Sequence, residues 1–556
     1  MLAVIKNGKI LCYGCYEVKD YLKALGFYWD AENKVWSKEV SNFLLKELKE
    51  LGVQVITELK PDEKLMEELK SLYPFAMPHQ IVGTALALQN KSFLLGDEPG
   101  VGKTVQGLMY MDYLLGKGMI DFAIVMCPAS VKRQWQTEVY KFLQQTLALL
   151  TGDKRYRKRL FEEAIKAKYY YPAVIMNYEL LLRDEFEYIM KLKERGIRFA
   201  LILDEASRFK NKDSQTYKKL KEIAKLTEYK LAMTGTPVEN HLVEFWAIAS
   251  ILRSGFMTYK EFEQKHCIVS EVKLPNIKFP IKKVVGYKNL AGFLARISDF
   301  YIRRKKADIK EMPPLTEYTI EIELTDLQLK LEDYLTKDIA QARGLSLEQI
   351  ITLLRVINDD PRLLLRSQSE KGHELAIMFR KEIEAFKQNP KIEALYEVLL
   401  EHEEDKKILV FTSFAEMAKS LAKEFNSLLV IGSMNEKERA RVIGEFKSRQ
   451  NRRMLIATDA LTYGVSLDEA DIVIHFDIPW SVGKLVQRTD RIYRITSTRN
   501  KWVYFFVGSG IERKVWEILN SKRQLFNKVV EGHALEDEDL RQMLLKALSE
   551  STSYNK

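Results

Sequence analysis

Short, largely apolar runs recur along this chain, separated by longer stretches whose apolar positions repeat every three or four residues. One set of runs is Ser92–Leu95, Phe122–Cys127, Ala173–Met176, Phe199–Leu203 and Lys230–Met233; a second is Lys407–Phe411, Leu428–Ile431, Met454–Ala457, Ile472–Phe476 and Trp502–Val507. Strands apolar on both faces, alternating with amphipathic helices, predict parallel sheets covered on both sides. Two α/β lobes are therefore expected, over residues 65–310 and 391–530. Glu244–Asp308 and Leu324–Asn389 read as mostly helical insertions, broken by Met312-Pro-Pro-Leu315, so 311–390 is expected to be a linker with a helical protrusion. The tail, 531–556, is charged and predicts a loose helix fraying into disorder.

The first 57 residues have a different texture. Leu2–Lys6 and Lys9–Tyr13 flank Asn7-Gly8, a hairpin signal. Helical spacing over Glu17–Leu25 stops at Gly26; Phe27–Trp29 and Lys34–Trp36 are short aromatic strands; Phe43–Leu51 is a second amphipathic helix. A small α+β module of order ββαββα is predicted, followed by a linker at Pro61-Asp-Glu-Lys64.

Composition narrows the class. A length of 556 residues requires several domains, and 46% apolar residues can fill their cores. The net charge of +10 favours a polyanionic partner. Four cysteines give no disulfide framework, so a reducing, intracellular compartment is expected: cytoplasm or nucleoid, or nucleus in a eukaryote. Cys12-Tyr-Gly-Cys15 has zinc-ligand spacing but no second ligand pair nearby, and two ordinary half-buried thiols are the plainer reading. The N-terminus lacks the apolar stretch of a signal peptide, and no apolar run is long enough to span a membrane.

Candidate chemistry sits at the ends of the predicted strands. Asp97-Glu-Pro-Gly-Val-Gly-Lys-Thr104 turns a buried strand into a glycine-rich loop. Gly100 and Gly102 let the backbone approach phosphates, Lys103 would pair with the β/γ oxygens, and the Thr104 hydroxyl would reach Mg²⁺. Asp204-Glu205 ends another strand, where Asp204 would hold Mg²⁺ through water and Glu205 would polarise the attacking water. Thr234-Gly-Thr236-Pro could sense the γ-phosphate. Gln80 could read the adenine edge. Gln487, Arg491 and Arg494, spaced by four and three, are expected on one face of a helix, where the guanidinium groups could neutralise a transferring phosphoryl group once the lobes close. Each segment alone could be an ordinary turn or solvated face. Their joint occurrence in this order predicts an ATP-driven nucleic-acid motor using Mg²⁺.

The order and wording of these segments resemble superfamily-two helicases, and specifically the Swi/Snf ATPase family, over residues 72–519. Asp97–Thr104 matches that family's phosphate loop, which explains Asp97. Cys127-Pro-Ala-Ser-Val-Lys-Arg-Gln-Trp135 resembles its motif Ia, Thr234–Asn240 its motif III, Tyr301-Ile-Arg-Arg-Lys-Lys-Ala-Asp308 its Arg-Arg-x-Lys block, and Ile408–Phe414 and Thr458–Leu467, with Gly464, its motifs IV and V. The resemblance implies two RecA-like lobes with helical protrusions and ATP-driven translocation on double-stranded DNA. Ser207 stands where the family usually has His, Leu461-Thr-Tyr-Gly464 is poorer in glycine, and Thr496-Ser497 replaces Gly-Gln. These departures mark a divergent member.

Residues 21–36 resemble, more weakly, the HARP domain of annealing helicases, which implies a grip on branched DNA; Trp29 and Trp36 could equally fill a tiny core. Lys132, Arg133, Lys210 and Lys212 are candidate phosphate contacts, and Lys154–Arg159 is the densest basic run. The expected activity is remodelling of branched or protein-bound DNA, such as stalled forks, by a monomer in the service of DNA repair. A replication, repair or transcription protein is a possible partner. The alternatives are a strand-separating DNA or RNA helicase, or a factor acting on RNA polymerase. No nuclease or histone-reading motif is evident.

Overall fold

The computed structural model describes residues 2–520, apart from 7–8, 14, 16–17, 32–34, 52, 58, 168, 238–241, 273–280, 341–346, 368, 449–452, 462–464, 480–481 and 511. Outside the described residues lie the Asn7-Gly8 turn, Val238–Asn240, Gly464 and the charged tail. The chain divides into two units, with the boundary between Ile309 and Lys310.

The first unit begins with a five-stranded sheet: β1 (Leu2–Lys6), β2 (Lys9–Tyr13), β3 (Tyr28–Asp30), β4 (Val35–Glu39) and β5 (Gln54–Thr57), in the order β3-β4-β2-β1-β5. Registers Ala3 to Cys12 and Cys12 to Trp36 put these side chains on one face. There they meet Leu22, Phe27, Leu44 and Leu48 from the helices Lys19–Ala24 and Asn42–Glu50 and the segments beside them. Gly26, at φ 77, supplies the left-handed turn that ends the first helix. Strand β5 departs from the expected ββαββα order. It pairs in parallel with β1, a partner some fifty residues upstream that no local pattern announces. Strands β1 and β2 also pack against the helix Leu290–Ile297, so the module is docked within its unit.

The large sheet of this unit holds β6 (Ser92–Leu95), β7 (Phe122–Cys127), β8 (Ala148–Leu149), β9 (Ala173–Asn177), β10 (Phe199–Asp204) and β11 (Lys230–Met233). After a hairpin of β12 (Cys267–Val272) and β13 (Ile281–Tyr287), it is completed by β14 (Tyr301–Ile302). The order is β14-β6-β11-β10-β7-β9-β8, parallel throughout. Every residue of β6, β7, β10 and β11 is buried, as their apolar runs predict. The span 244–308, expected to be mostly helical, thus also carries a hairpin and the sheet's edge strand.

The second unit holds β15 (Leu315–Ile322), β16 (Ile408–Phe411), β17 (Leu428–Val430), β18 (Met454–Ala457), β19 (Ile472–His475) and β20 (Lys501–Gly508). Their order is β15-β20-β19-β16-β18-β17, again parallel. Strand β15 falls in the span read as linker. It is an edge strand, largely exposed, so polar residues such as Glu317 and Glu321 mask it. Among the described residues, no helix is long and apolar enough to cross a membrane.

Candidate active site

Strand order builds this site. β6, β11 and β10 are neighbours, with Leu95 beside Met233 and Met233 beside Asp204. Their carboxyl ends bring the glycine-rich loop, the Thr234 turn and the Asp204-Glu205 pair together, at the sheet edge where parallel α/β folds take ligands. Gly100 and Gly102 both have φ 83, a conformation costly for other residues. Gly102 caps the helix Lys103–Gly116, whose N-terminal N–H groups and dipole favour an anion. The Lys103 ammonium donates to the Asp97 and Glu98 carbonyls, at 2.7 and 3.1 Å, spanning the loop. Thr104 lies in the first turn of the helix.

Gln80 lies against this loop. A Cβ at Gly102 would stand 2.3 Å from its amide nitrogen. Its amide oxygen accepts from Met77 N at 2.9 Å, and its Nε2 faces the Val101 and Gly102 carbonyls at 3.4 Å. The amide proposed for the adenine edge is thus turned toward the loop and its own helix start.

Asp204 is buried. The Trp135 indole N–H donates to its Oδ2 at 2.7 Å, the Glu205 N–H to its Oδ1 at 3.0 Å, and the Tyr178 hydroxyl to its main-chain oxygen at 2.8 Å. Burial raises the Asp204 carboxyl above the usual range, opposed by the Trp135 bond, the Lys103 charge and the Glu205 N–H. With one donor on each oxygen, the carboxylate suits holding a cation through water better than by direct ligation. Glu205 adopts φ 50, ψ 57, the left-handed region that side chains avoid, and is half-exposed. Such strain accompanies functional positions. Thr234 is fully buried and its hydroxyl accepts from Thr236 N at 3.1 Å; the buried Thr236 hydroxyl has no partner among the described residues.

In the second unit, the helix expected to carry Gln487, Arg491 and Arg494 spans Val482–Thr489 and ends before the two arginines. Arg491 donates to the Gln487 and Val465 carbonyls at 3.1 and 3.0 Å, and Arg494 to those of Asp490 and Val465 at 3.2 and 3.0 Å. These backbone acceptors replace the helical spacing in fixing both guanidinium groups near Val465. Gln487 is buried.

Sequence reasoning passed over Arg488, which is fully buried. It pairs with Asp459 at 2.7 Å and Asp477 at 3.4 Å, and donates to the Ser413 hydroxyl at 3.0 Å. Burial would raise the Asp477 carboxyl, but Arg355 and Arg488 together hold it well below the usual range. The signal available was an arginine at an apolar-face position of an otherwise amphipathic helix. Trp135, quoted only as the end of a motif, was likewise unassigned.

The DNA candidates are mostly engaged. Lys132 donates to the Leu150 carbonyl and Asn177 Oδ1, both at 3.1 Å; Lys210 pairs with Glu244 at 3.3 Å; Lys212 pairs with Asp213 and lies over the Tyr259 ring. Arg133 is exposed. In the basic run, Arg157 is buried against Glu185 at 2.5 Å. Cys12 and Cys15 are core residues of the N-terminal module, and a hydrogen bond between them pushes the Cys12 thiol up. Among the described residues no three Cys, His, Asp or Glu side chains are grouped to hold a metal.

Two parallel-sheet units, the first presenting a glycine-rich loop beside paired acids, have the layout of the helicase-type ATPase class. A family model described as SNF2-related domain matches residues 23–369, and one described as Helicase conserved C-terminal domain matches 390–496. The chain belongs to the SNF2-related family. It is 26% identical over 80% of its length to an uncharacterized ATP-dependent helicase of Mycoplasma genitalium, covering 41% of that protein. It is 25% identical over 90% of its length to the ATP-dependent DNA helicase DDM1 of Arabidopsis thaliana, covering 68% of it. It is also similar to the SWI2/SNF2 ATPase core of Sulfolobus solfataricus in complex with dsDNA, at 27% identity and TM-score 0.37, covering 82% of this chain and 92% of that one. The chain thus spans about two-fifths of the first relative's length.

Proposed function

We propose that this chain is an ATP-driven translocase on double-stranded DNA that remodels branched or protein-bound DNA. The observation that carries the ATPase part is the Asp204-Glu205 pair: one buried, hydrogen-bonded carboxylate and one half-exposed carboxylate on strained backbone, beside a loop shaped for phosphates. Lys103 pairs with phosphate charge. Glu205 orients and polarises the attacking water. Asp204, through water, and Thr104 would hold Mg²⁺, whose charge would offset that of the phosphates. In the catalytic state Arg491 and Arg494 supply positive charge to the transferring phosphoryl group. Thr234 and Thr236 report the γ-phosphate.

DNA as the track is supported by the net charge of +10 and by the printed activity of a relative, an ATP-dependent DNA helicase. Arg133, Lys132, Lys210 and Lys212 are proposed as phosphate contacts. Branched DNA is supported by the N-terminal module, where Tyr28 is 73% and Phe43 62% exposed, leaving ring faces for unpaired bases. ATP turnover should be measured with duplex, single-stranded and forked DNA and with RNA, side by side. Duplex stimulation, strongest on forks, supports the proposal. Stimulation by RNA alone, or a strong preference for single strands, would replace it with a strand-separating helicase. Tyr28→Ala with Phe43→Ala should abolish fork preference while keeping duplex stimulation. These exposed positions are better probes than truncation, which would uncover the helix Leu290–Ile297.

A further inference from the structure

The segment from Phe300 to Lys306 lies alongside the phosphate loop's entry, residue against residue. Leu94 N donates to the Phe300 carbonyl, Gly96 N to that of Ile302, and Glu98 N to that of Arg304, at 2.8, 2.8 and 3.0 Å. Lys306 N returns a bond to Glu98 Oε2 at 2.9 Å. Gly96 is required here, since a Cβ would stand 2.3 Å from the Tyr301 ring.

Side chains close the strap. The Asp97 carboxylate is fully buried, and Arg304 clasps it: Nε to Oδ1 at 3.0 Å and Nη2 to Oδ2 at 2.5 Å, with Arg304 N adding a third bond at 3.0 Å. Gln106, from the helix after the loop, donates to Asp97 Oδ2 at 3.2 Å and accepts from Arg304 at 3.1 Å. Arg304 also donates to the His79 carbonyl, next to Gln80. Beside it, Arg303 donates to the carbonyls of Gly96 and Gly235, at 3.2 and 3.0 Å, joining the phosphate loop to the Thr234 turn. One planar fork thus ties the loop's first residue, the helix that follows it and the helix bearing Gln80.

We propose that Arg304 is a positioning residue for ATP hydrolysis, setting the phosphate loop through Asp97. It touches no reacting atom. It fixes where the loop begins, and hence where Gly100–Thr104 present their N–H groups and the Lys103 ammonium. This rests on the loop being the nucleotide site. The same segment runs on to Ile309, the last residue before the second unit.

Lysine keeps the charge at this position but cannot serve two carboxylate oxygens, a carbonyl and an amide at once. Steady-state ATP turnover should be compared for wild type, Arg304→Lys, Asp97→Asn, the double variant Asp97→Asn/Arg304→Gln, and Lys103→Ala. In Arg304→Lys and Asp97→Asn, KM for ATP should rise roughly 10- to 100-fold, the range for losing a group that orients a ligand's holder. The fall in kcat should be smaller, because a loosened loop weakens ground and transition states alike. The double variant leaves no buried charge unpaired, so its melting temperature should equal or exceed those of the two component single substitutions while its KM stays raised. A double variant that regains wild-type KM overturns the proposal and makes the pair merely structural. Unchanged KM in Arg304→Lys, with turnover lost in Lys103→Ala, overturns the positioning role alone. Unchanged turnover in Lys103→Ala overturns the nucleotide-loop reading and the positioning role with it.

Discussion

Trp135→Phe should make ATP turnover more sensitive to acid. The indole is fully buried; its N–H bonds Asp204 Oδ2 at 2.7 Å, and its ring lies where a Cβ on Gly107 would stand 2.8 Å away. Phenylalanine keeps the apolar body but removes the donor. A hydrogen bond to a charged group is worth ~1.5–3 kcal/mol, or roughly one to two pK units at 1.36 kcal/mol per unit. The lost bond favours the carboxylate, so its removal pushes the Asp204 carboxyl further up from a position burial has already raised. The acid limb of kcat should move to higher pH by roughly one to two units, if Asp204 must be ionised to act. Stability follows the same sign. A carboxyl raised in the folded state binds its proton more tightly there than in the unfolded chain. Stability therefore falls as pH rises from the unfolded carboxylate range through the folded value, and the variant should extend that fall upward. Lost ring volume adds ~1–3 kcal/mol at any pH. Tyr178→Phe is the control, since it removes the bond to the Asp204 main-chain oxygen and leaves the carboxylate alone. Full pH–rate profiles and melting curves read both variants. An acid limb equally placed in wild type and Trp135→Phe would refute the assignment of Asp204 as the titrating acid.

Glu205→Gly should abolish turnover while raising stability by about 1 kcal/mol, because glycine relieves the left-handed backbone; thermal melts and single-turnover assays check both. Glu205→Gln should likewise lose turnover yet still bind ATP. Arg491→Ala with Arg494→Ala should cut kcat by roughly 10³-fold or more while nucleotide affinity changes less, as measured by turnover alongside equilibrium binding. Lys391→Met should cost ~3–5 kcal/mol, since Lys391 is wholly buried between Asp359 at 2.9 Å and Glu512 at 2.7 Å. Melting temperature reads the deficit.

Both sheets, the phosphate loop and the paired acids were legible because their signals are local. An apolar run of four to six residues between helices has few other meanings, and Gly-x-Gly-Lys-Thr after such a run carries its chemistry in consecutive residues. Elements that depend on distant partners were hidden. β5 needs β1, β14 needs β6, and the exposed edge strand β15 needs β20; none announces its partner locally. The same holds within the site. The family resemblance accounted for Asp97 as a residue type, but its partner Arg304, over two hundred residues away in sequence, was not visible locally. Arg488 was passed over because buried arginines are rare and its anionic partners, Asp459 and Asp477, lie in turns that follow two separate strands. Arg491 and Arg494 were assigned by helical spacing, but they stand past the end of that helix, and both donate to the Val465 carbonyl.

The pairing of β15 with β20 has a consequence for biosynthesis. β15 is the first strand of its sheet to leave the ribosome, and its partner in register, Leu315 to Lys501, comes last. With roughly 190 residues between them, and elongation at about 5–20 residues per second, the strand waits ~10–40 s for its ladder. The unit to which it belongs cannot close its sheet earlier, whereas the preceding unit has its last strand, β14, before β15 is made. During that interval β15 shows a bare backbone edge, and Glu317 and Glu321 along it are charges that discourage another nascent chain from pairing there.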